Sequence, residues 1–349
     1  MLSYLAHSAK IRYPSQSCFD HVYNTMKRAL IFAREMKRYC RKDAKQIENI
    51  LCLAALYHDL GKLAEENQKE LHKEGIKSGH LPVNHVDAGA AFLKQKGQEA
   101  LCSLILVYAH HQGLPDFTVE ENRAEMVCYR DTRESVRACF DREMEELLQI
   151  HRQLIPESNV HNPEYCEGDM SMFIRMVFSC LVDADHSDTA AAYGQYPEHD
   201  NIPKLKPALR LEALNRYVAN LGEKNRSKRN DFRTQMYERC RDGQREEGIV
   251  SNDGAVGSGK TTAVMAYQLN QAVAKGARRI FVVLPYTNVI TQSVEVYRNA
   301  LVLPGEEREA VVAELHCKAD FEDEDTRCLT SLWRAPIIVT TAVAFVEVF

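Results

Sequence analysis

The chain has 349 residues, of which 45% are hydrophobic and 27% are charged, as expected for a soluble globular protein of about two domains. Its formal net charge of −5 excludes a uniformly basic nucleic-acid-binding protein, so contact with a polyanion must come from a local groove or from bound metal. The 11 cysteines include no CxxC pair, and the chain shows neither a signal peptide nor an apolar run of 18 residues, which predicts a reduced, cytoplasmic protein without a membrane span.

Residues 1–203 are predicted to form an all-α domain. Residues 46–57 carry apolar side chains at helical spacing, and the apolar residues of 171–186 cover nearly every face of a helix, which indicates a central, buried element. We predict further helices over residues 86–96, 101–111 and 133–154.

The pattern changes twice after this domain. Residues 204–247 are rich in both charges with a basic excess, and we interpret them as a helical linker. From residue 248 onward, short β-branched runs at 278–285 and 334–341 alternate with helical segments. This alternation is typical of an α/β domain with a parallel sheet, which we place at 248–349.

Histidines and acids in the first domain suggest a metal centre. His58 and Asp59 follow the helix predicted at 46–57, but such a pair alone is a weak signal, since it commonly caps a helix. His21, His85 and the pair His110–His111 add imidazoles at helix ends. Two further acids, Asp183 and Asp185, fall in the most apolar helix, where a carboxylate is costly unless it is paired or bound to metal.

This series of residues resembles the HD superfamily, and more narrowly the HD nuclease domain of the CRISPR-associated nuclease-helicase of type I systems. The stretches that carry the resemblance are FDH at 19–21, LYHDLGK at 56–62, HVDAGAAF at 85–92, AHHQGLPD at 109–116 and RMVFSCLVDADHSDT at 175–189. One departure is His186–Ser187, where that family tends to have a larger apolar or basic residue.

The resemblance implies two metal ions. The ligands it assigns to the first ion are His21, His58, Asp59 and Asp185. It assigns His85, His110 and His111 to the second ion, with Asp59 as the bridge. An imidazole-rich set suits Mn, Fe, Co or Ni better than Mg. Asp185 is preferred over Asp183 by resemblance, and Asp183 is then a candidate partner of a ligand.

The remaining candidate residues are Lys62, His7 and seven further histidines. Lys62 follows Asp59 by one turn, and we expect the two to act as catalytic residues, with Lys62 neutralising charge on the scissile phosphate; a solvated lysine is the alternative. His7 matches an early family motif, but a structural role is expected for it. The histidines without an expected role are His72, His80, His151, His161, His186, His199 and His316.

Residues 254–261 fit the phosphate-binding pattern GxxxxGK[ST]. The positions expected to bind ATP and Mg²⁺ are Gly254, Gly257, Gly259, Lys260 and Thr261. A weakly apolar strand is expected just before them, within residues 248–253. The surroundings resemble the first RecA-like domain of superfamily 2 helicases, at 281–293 and 335–349. The carboxylate box and second RecA-like domain of such helicases do not occur, so we expect a truncated helicase part that does not hydrolyse ATP efficiently.

The combined patterns predict a metal-dependent nuclease that cuts single-stranded DNA, recruited by a CRISPR surveillance complex of the Cascade type. An alternative enzyme is an HD phosphohydrolase that acts on small nucleotides. A third possibility, from another class, is a catalytically inactive interaction module, which would have no need of the complete ligand set.

Overall fold

The computed structural model describes residues 4–10, 12–38, 40, 44–73, 81–155, 171–194, 203–224, 227–243, 248–316 and 333–348. His80, His161 and His199 lie outside these residues. The chain divides into two compact units, Met1–Tyr196 and Pro197–Phe349. None of the described helices is both long and apolar enough to cross a membrane.

The described part of the first unit is mostly helical and contains one small hairpin. Its antiparallel strands are β1 (Leu5–His7) and β2 (Gln16–Ser17). Its α-helices are α1 (Cys18–Lys37), α2 (Ala44–Tyr57), α3 (Glu65–Leu71), α4 (Val86–Gln95), α5 (Leu101–Ala109), α6 (Phe117–Glu121), α7 (Glu134–Leu154) and α8 (Ser171–Ala192). Short 3₁₀ helices span Leu60–Leu63 and Gly97–Ala100.

The core of the first unit forms where α1, α2, α5 and α8 contact one another. The helices predicted at 46–57, 86–96, 133–154 and 171–186 are confirmed, and α8 continues to Ala192. The helix predicted at 101–111 ends two residues early, at Ala109. Gly113 has a φ of +83°, and its N–H donates to the carbonyl of Ala109, so a left-handed glycine closes this helix. His110 and His111 therefore lie in the turn.

The second unit contains a parallel sheet. Its elements are α9 (Pro207–Lys224), α10 (Lys228–Arg241), α11 (Lys260–Lys275), β3 (Ile280–Leu284), α12 (Thr287–Leu301), α13 (Arg308–Val311), β4 (Val312–Leu315), β5 (Ile337–Thr341) and α14 (Ala342–Val348). The strand order is β3–β5–β4, and Ile280 pairs with Ile337. The strands predicted within 278–285 and 334–341 are thus confirmed, as is a mixed α/β unit.

Two parts of the second unit differ from expectation. Residues 248–253 form no strand, and Ile249 is fully exposed, because a segment containing Ser251, Asn252 and Asp253 offers too little apolar surface to be buried in a sheet. The segment expected as a linker forms α9 and α10, whose residues Leu214 and Tyr237 are buried in the core of this unit.

Candidate metal centre

Helix ends and one helix interior in the first unit bring the predicted ligands together. His58 and Asp59 lie in the turn between α2 and the 3₁₀ helix, and His85 is the N-cap of α4. His21 projects from the first turn of α1, and its counterpart on α8 is Asp185. Turns and caps interrupt the regular backbone, so their side chains converge on a point that no single helix face reaches.

His21, His58 and Asp185 form the first group of possible ligands, and all three are buried. The Nε2 atom of His21 lies 3.2 Å from Oδ1 of Asp185 and 3.3 Å from Nε2 of His58. Asp183, the neighbouring acid on α8, is half-buried and belongs to neither group of possible metal ligands.

Asp59, His85, His110 and His111 form the second group. The two carboxylate oxygens of Asp59 face different ways. Oδ2 lies 3.1 Å from Nε2 of His21 and 3.4 Å from Nε2 of His58, while Oδ1 lies 3.3 Å from Nε2 of His85. Asp59 therefore stands between the two groups, one oxygen toward each.

Backbone and carboxylate acceptors fix the orientation of three imidazoles. Nδ1 of His58 donates to the carbonyl of Ala55 at 2.8 Å, and Nδ1 of His110 donates to that of Val107 at 2.6 Å. Each of these acceptors is three residues earlier in the chain, in the last turn of the preceding helix. With Nδ1 protonated and engaged, Nε2 is the nitrogen that is left to bind a metal ion.

Asp188 orients the imidazole of His21 in the same way, a role that was not predicted from the sequence. Its Oδ2 accepts from Nδ1 of His21 at 2.9 Å and from Nε2 of Gln16 at 2.7 Å, and the residue is buried. The available signal was its spacing, since Asp188 follows Asp185 by three positions and so shares a face of α8.

Burial and neighbouring charges shift the pKa values of the cluster in opposite directions. Burial, followed by repulsion from His111 and His58, lowers the pKa of His110 to about 3, and the pKa of His85 also falls well below its usual value because it is buried. Burial disfavours the charged form of His21 too, but hydrogen bonds to Asp185, Asp188 and Asp59 raise its pKa to about 10. The carboxylates thus create a strongly negative potential around His21.

The donor set fits divalent transition metals. Oδ1 of Asp59 and Nε2 of His110 are both buried, and neither has a hydrogen-bond partner within the described residues. Such polar atoms are costly unless a ligand satisfies them. Within each group the ligand atoms lie within 4.8 Å of one another, and imidazoles with carboxylates are the donors that Mn, Fe, Co and Ni accept.

Lys62 is buried beside Asp59, with Nζ 2.6 Å from Oδ2, so the alternative of a solvated lysine is wrong. Burial lowers the pKa of Lys62, but attraction to Asp59 and Asp185 outweighs it and raises the pKa above the usual value. Its catalytic role remains a prediction.

The other histidines of the unit have different surroundings. The ring of His7 contacts that of His21 edge-on at 4.6 Å, and burial lowers its pKa to about 2. His151 is buried, and its Nε2 bonds to the carbonyl of Leu56 at 2.8 Å. His186 is exposed, yet one of its nitrogens lies within 4.8 Å of ligand atoms of His111 and Asp185, a proximity that the sequence analysis did not foresee.

A glycine allows the two halves of the centre to approach. A Cβ atom on Gly61 would lie 2.3 Å from the carbonyl oxygen of His85 and 2.7 Å from its Cα. Only a residue without a side chain lets the 3₁₀ helix that follows Asp59 pack directly on the backbone of His85.

The second unit carries the predicted phosphate-binding residues on a glycine-rich turn before α11. Gly257 and Gly259 have φ angles of +78° and +85°, which side chains rarely tolerate. Nζ of Lys260 donates to the carbonyl of Gly254 at 2.7 Å. Thr261 lies in the first turn of α11, where free backbone N–H groups favour anions.

Comparison with known proteins finds a similarity to one family. The family model for the HD domain matches residues 18–146, which lie within the first unit. No curated protein sequence matches the chain.

Solved structures of Cas3 from T. fusca have the same fold. One such structure, and another titled Cas3-ADP, each give a TM-score of 0.56 at 16% sequence identity over 98% of this chain. A structure titled Cas3-AMPPNP gives a TM-score of 0.54 at 17% identity. Each alignment covers 43% of the Cas3 chain, so the present chain spans less than half of that protein.

Proposed function

We propose that the chain is a metal-dependent phosphodiesterase that cuts single-stranded DNA. The observation that carries this proposal is the position of Asp59, whose two oxygens face two separate groups of imidazole and carboxylate ligands. A carboxylate in that position would bridge a pair of metal ions. When bound, such a pair polarises a phosphodiester and lowers the pKa of a water molecule.

The protein's own groups prepare this chemistry. The lowered pKa values of His85 and His110 keep both imidazoles neutral at pH 7, which is the form that binds metal. Asp188 orients His21, and the carbonyls of Ala55 and Val107 orient His58 and His110. Lys62 would place a positive charge beside the reacting phosphate.

The test combines metal content with cleavage. The purified chain should bind about two Mn, Fe, Co or Ni ions and then cut a labelled single-stranded oligonucleotide. Asp59→Asn should lose both ions and all cleavage, because Asp59 alone faces both groups. Asp185→Asn should lose mainly the first ion, whereas the matched control Asp183→Asn should keep both.

The outcomes separate the three readings of the sequence. Turnover of free or cyclic nucleotides without cleavage of oligonucleotides would favour the HD phosphohydrolase. A chain that binds no metal, or that is loaded with two ions but inactive on every phosphodiester, would be an interaction module, and the nuclease proposal would be wrong.

We infer a second binding function, for ATP with Mg²⁺, at residues 254–261. The support is local. The site combines two glycines with positive φ, a lysine at the loop and the N-terminus of the 16-residue helix α11. Such a combination suits phosphate groups. A RecA-like helicase domain, truncated or continued in a longer protein, is the corresponding proposal for the whole second unit.

We also propose that a CRISPR surveillance complex of the Cascade type brings the chain to its DNA. The similarity in fold to Cas3 supports this partner. Co-elution of the purified chain with such a complex on target DNA, and not with the complex alone, is the expected result. Equal elution with and without target DNA would contradict it.

A further inference from the structure

The metal ligands differ in their access to solvent. Five of the seven predicted ligands are buried, namely His21, His58, Asp59, His110 and Asp185. The side chain of His85 is 14% exposed, and His111 is exposed. Both line a cavity of about 630 Å³ within the first unit. A substrate therefore reaches the centre from the side of His85 and His111.

Positive charge is concentrated in this cavity. Lys10, Lys62 and Arg133 line it together with a single carboxylate, that of Glu70, which is itself 2.6 Å from Nζ of Lys73. In a chain of net charge −5, this excess of cations over carboxylates in the lining favours an anionic substrate. Lys62 contacts Asp59 and Arg133 pairs with Asp131, so Lys10 and the unpaired edge of Arg133 are the groups that can meet a ligand.

Arg133 is held in a fixed position relative to the metal ligands. Its Nε and Nη2 donate to the two oxygens of Asp131 at 3.0 and 2.8 Å. Asp131 also accepts from Asn84 at 2.8 Å, and Asn84 precedes the ligand His85. Nη1 of Arg133 has no acceptor among the described residues, so this edge of a pre-oriented guanidinium can donate to a phosphate oxygen.

Lys10 lies against an aromatic ring in the same cavity. Its Nζ is 3.5 Å from the centroid of the Tyr193 ring, and the Tyr193 hydroxyl donates to the carbonyl of Ser8 at 2.9 Å. Tyr193 is buried and Lys10 covers the face of its ring, so this contact holds the ammonium of Lys10 at the cavity, where it can pair with a phosphate.

Arg133 also borders a second cavity, of about 250 Å³. The two cavities share Asn84, His111 and Arg133. The other residues that line the smaller one are Val86, Asp87, Tyr108, Gln112, Arg130, Asp131 and Thr132, and Arg130 pairs with Asp87. Space for a ligand therefore continues past the exposed metal ligand His111 on both sides, which a mononucleotide would not require.

We propose that Lys10 and Arg133 bind phosphates of the nucleotides that flank the scissile bond, so that the site takes a strand extending in both directions. This inference rests on the proposed phosphodiesterase function and names the chemical class of its substrate. It assigns two binding residues that belong to neither group of predicted metal ligands.

The experiment compares a long with a short diester. Lys10→Ala and Arg133→Ala are assayed with Mn²⁺ on a labelled single-stranded DNA of 20 nucleotides and on bis(p-nitrophenyl) phosphate. Each substitution should raise KM for the oligonucleotide about 5- to 10-fold and reduce the slope of log KM against log salt by about 0.7, the value for one contact to a single strand. The kinetics on the small diester and the metal content should not change.

Matched controls distinguish the positions of Lys10 and Arg133 in the cavities from a general loss of positive charge. Arg142→Ala and Lys69→Ala remove exposed cations outside both cavities and should leave KM unchanged. Arg133→Lys and Lys10→Arg keep the charge and should restore most of the oligonucleotide binding. If the wild-type chain cuts both substrates and Lys10→Ala and Arg133→Ala match it on DNA, this inference alone is overturned. If the wild type cuts neither substrate, the proposed function fails and the inference falls with it.

Discussion

Asp188 shows how much of a metal centre depends on residues that would not touch the metal. It accepts from Nδ1 of His21 and is itself held by Gln16. A carboxylate behind a ligating imidazole fixes its tautomer and makes Nε2 a better donor, and the loss of such a partner typically lowers metal affinity about 10- to 100-fold.

We therefore expect Asp188→Asn to weaken binding of the first ion by that factor and to leave the second ion in place. Titration with Co²⁺, followed by its visible spectrum, measures both sites in one experiment. The control is Asp20→Asn, which changes an exposed acid one residue before His21. Equal affinities in Asp188→Asn and wild type would show that His21 needs no support from Asp188.

Asp131 gives a prediction about pH. Burial raises the pKa of its carboxyl, but hydrogen bonds from Arg133, Asn84 and the Arg133 backbone outweigh this and lower the pKa to about 2. The folded-state pKa is thus below the unfolded value of about 3.9. Asp131 therefore stabilises the fold above about pH 4, and this contribution is lost as the pH falls from about 4 toward 2.

Asp131→Asn should accordingly lower the free energy of unfolding by about 1–2 kcal/mol at pH 7, less than the full pKa shift implies because Arg133 is exposed to solvent. The difference from the wild type should shrink as the pH falls below about 4. Urea midpoints of both proteins at pH 7, 4 and 3 measure this, and a difference that stays constant over this range would contradict it.

At the scale of elements, the close contact between the 3₁₀ helix Leu60–Leu63 and the start of α4 depends on Gly61. Gly61→Ala would bring a methyl group to 2.3 Å from a backbone oxygen, which cannot move without shifting His85. We expect a loss of about 1–3 kcal/mol in stability and a preferential loss of the second ion, measured by denaturation and by metal content.

Gly222→Ala in α9 is the matched control, because a Cβ atom there meets nothing within 4 Å. Alanine in a helix interior is favoured over glycine by about 0.5–1 kcal/mol, so this variant should be at least as stable as the wild type. A Gly61→Ala protein with normal stability and two ions would show that the backbone contact is dispensable.

The elements that the sequence predicted well are those with a strong apolar period. Residues 46–57 and 171–186 have apolar stripes that only a helix can bury, and both are helices in the structure. β4 escaped prediction because it has four residues and includes Glu314. The expected strand at 248–253 had too little apolar surface to form. In both cases the local composition was a poor guide, because tertiary packing decides whether a short segment joins a sheet.

The spatial arrangement of the predicted metal ligands was less predictable than their identity. The ligand types and their order were visible in the sequence, and the resemblance grouped them. That each oxygen of Asp59 faces a different group depends on the contact of the 3₁₀ helix with α4, and that Asp188 supports His21 depends on the packing of α1 against α8. Contacts between residues 167 positions apart cannot be read from periodicity.

At the scale of the whole molecule, the two units have separate cores. The buried residues that surround the predicted metal ligands belong to the first unit, and those beneath α11 belong to the second. Binding of nucleotide and cleavage of single strands should therefore be separable in this chain.

Lys260→Ala should lower affinity for a fluorescent ATP analogue at least about tenfold, since one charge-assisted phosphate contact contributes about 1.5–3 kcal/mol. Cleavage of single-stranded DNA without ATP should stay at the wild-type rate. Lys275→Ala, at the other end of α11, is the control for both assays. A parallel loss of cleavage in Lys260→Ala would show that the units depend on each other.

The pairing of α1 with α8 also bears on how the chain folds. The first group of predicted ligands joins His21 near the start of α1 to Asp185 on α8, and Asp188 contacts His21 across 167 positions. Contacts of such high sequence separation form late, because a long loop must close before they yield any free energy. During synthesis, the first ion has no complete site until α8 has left the ribosome. Metal loading would therefore follow the folding of this unit, and the ion would stabilise a fold that has already formed.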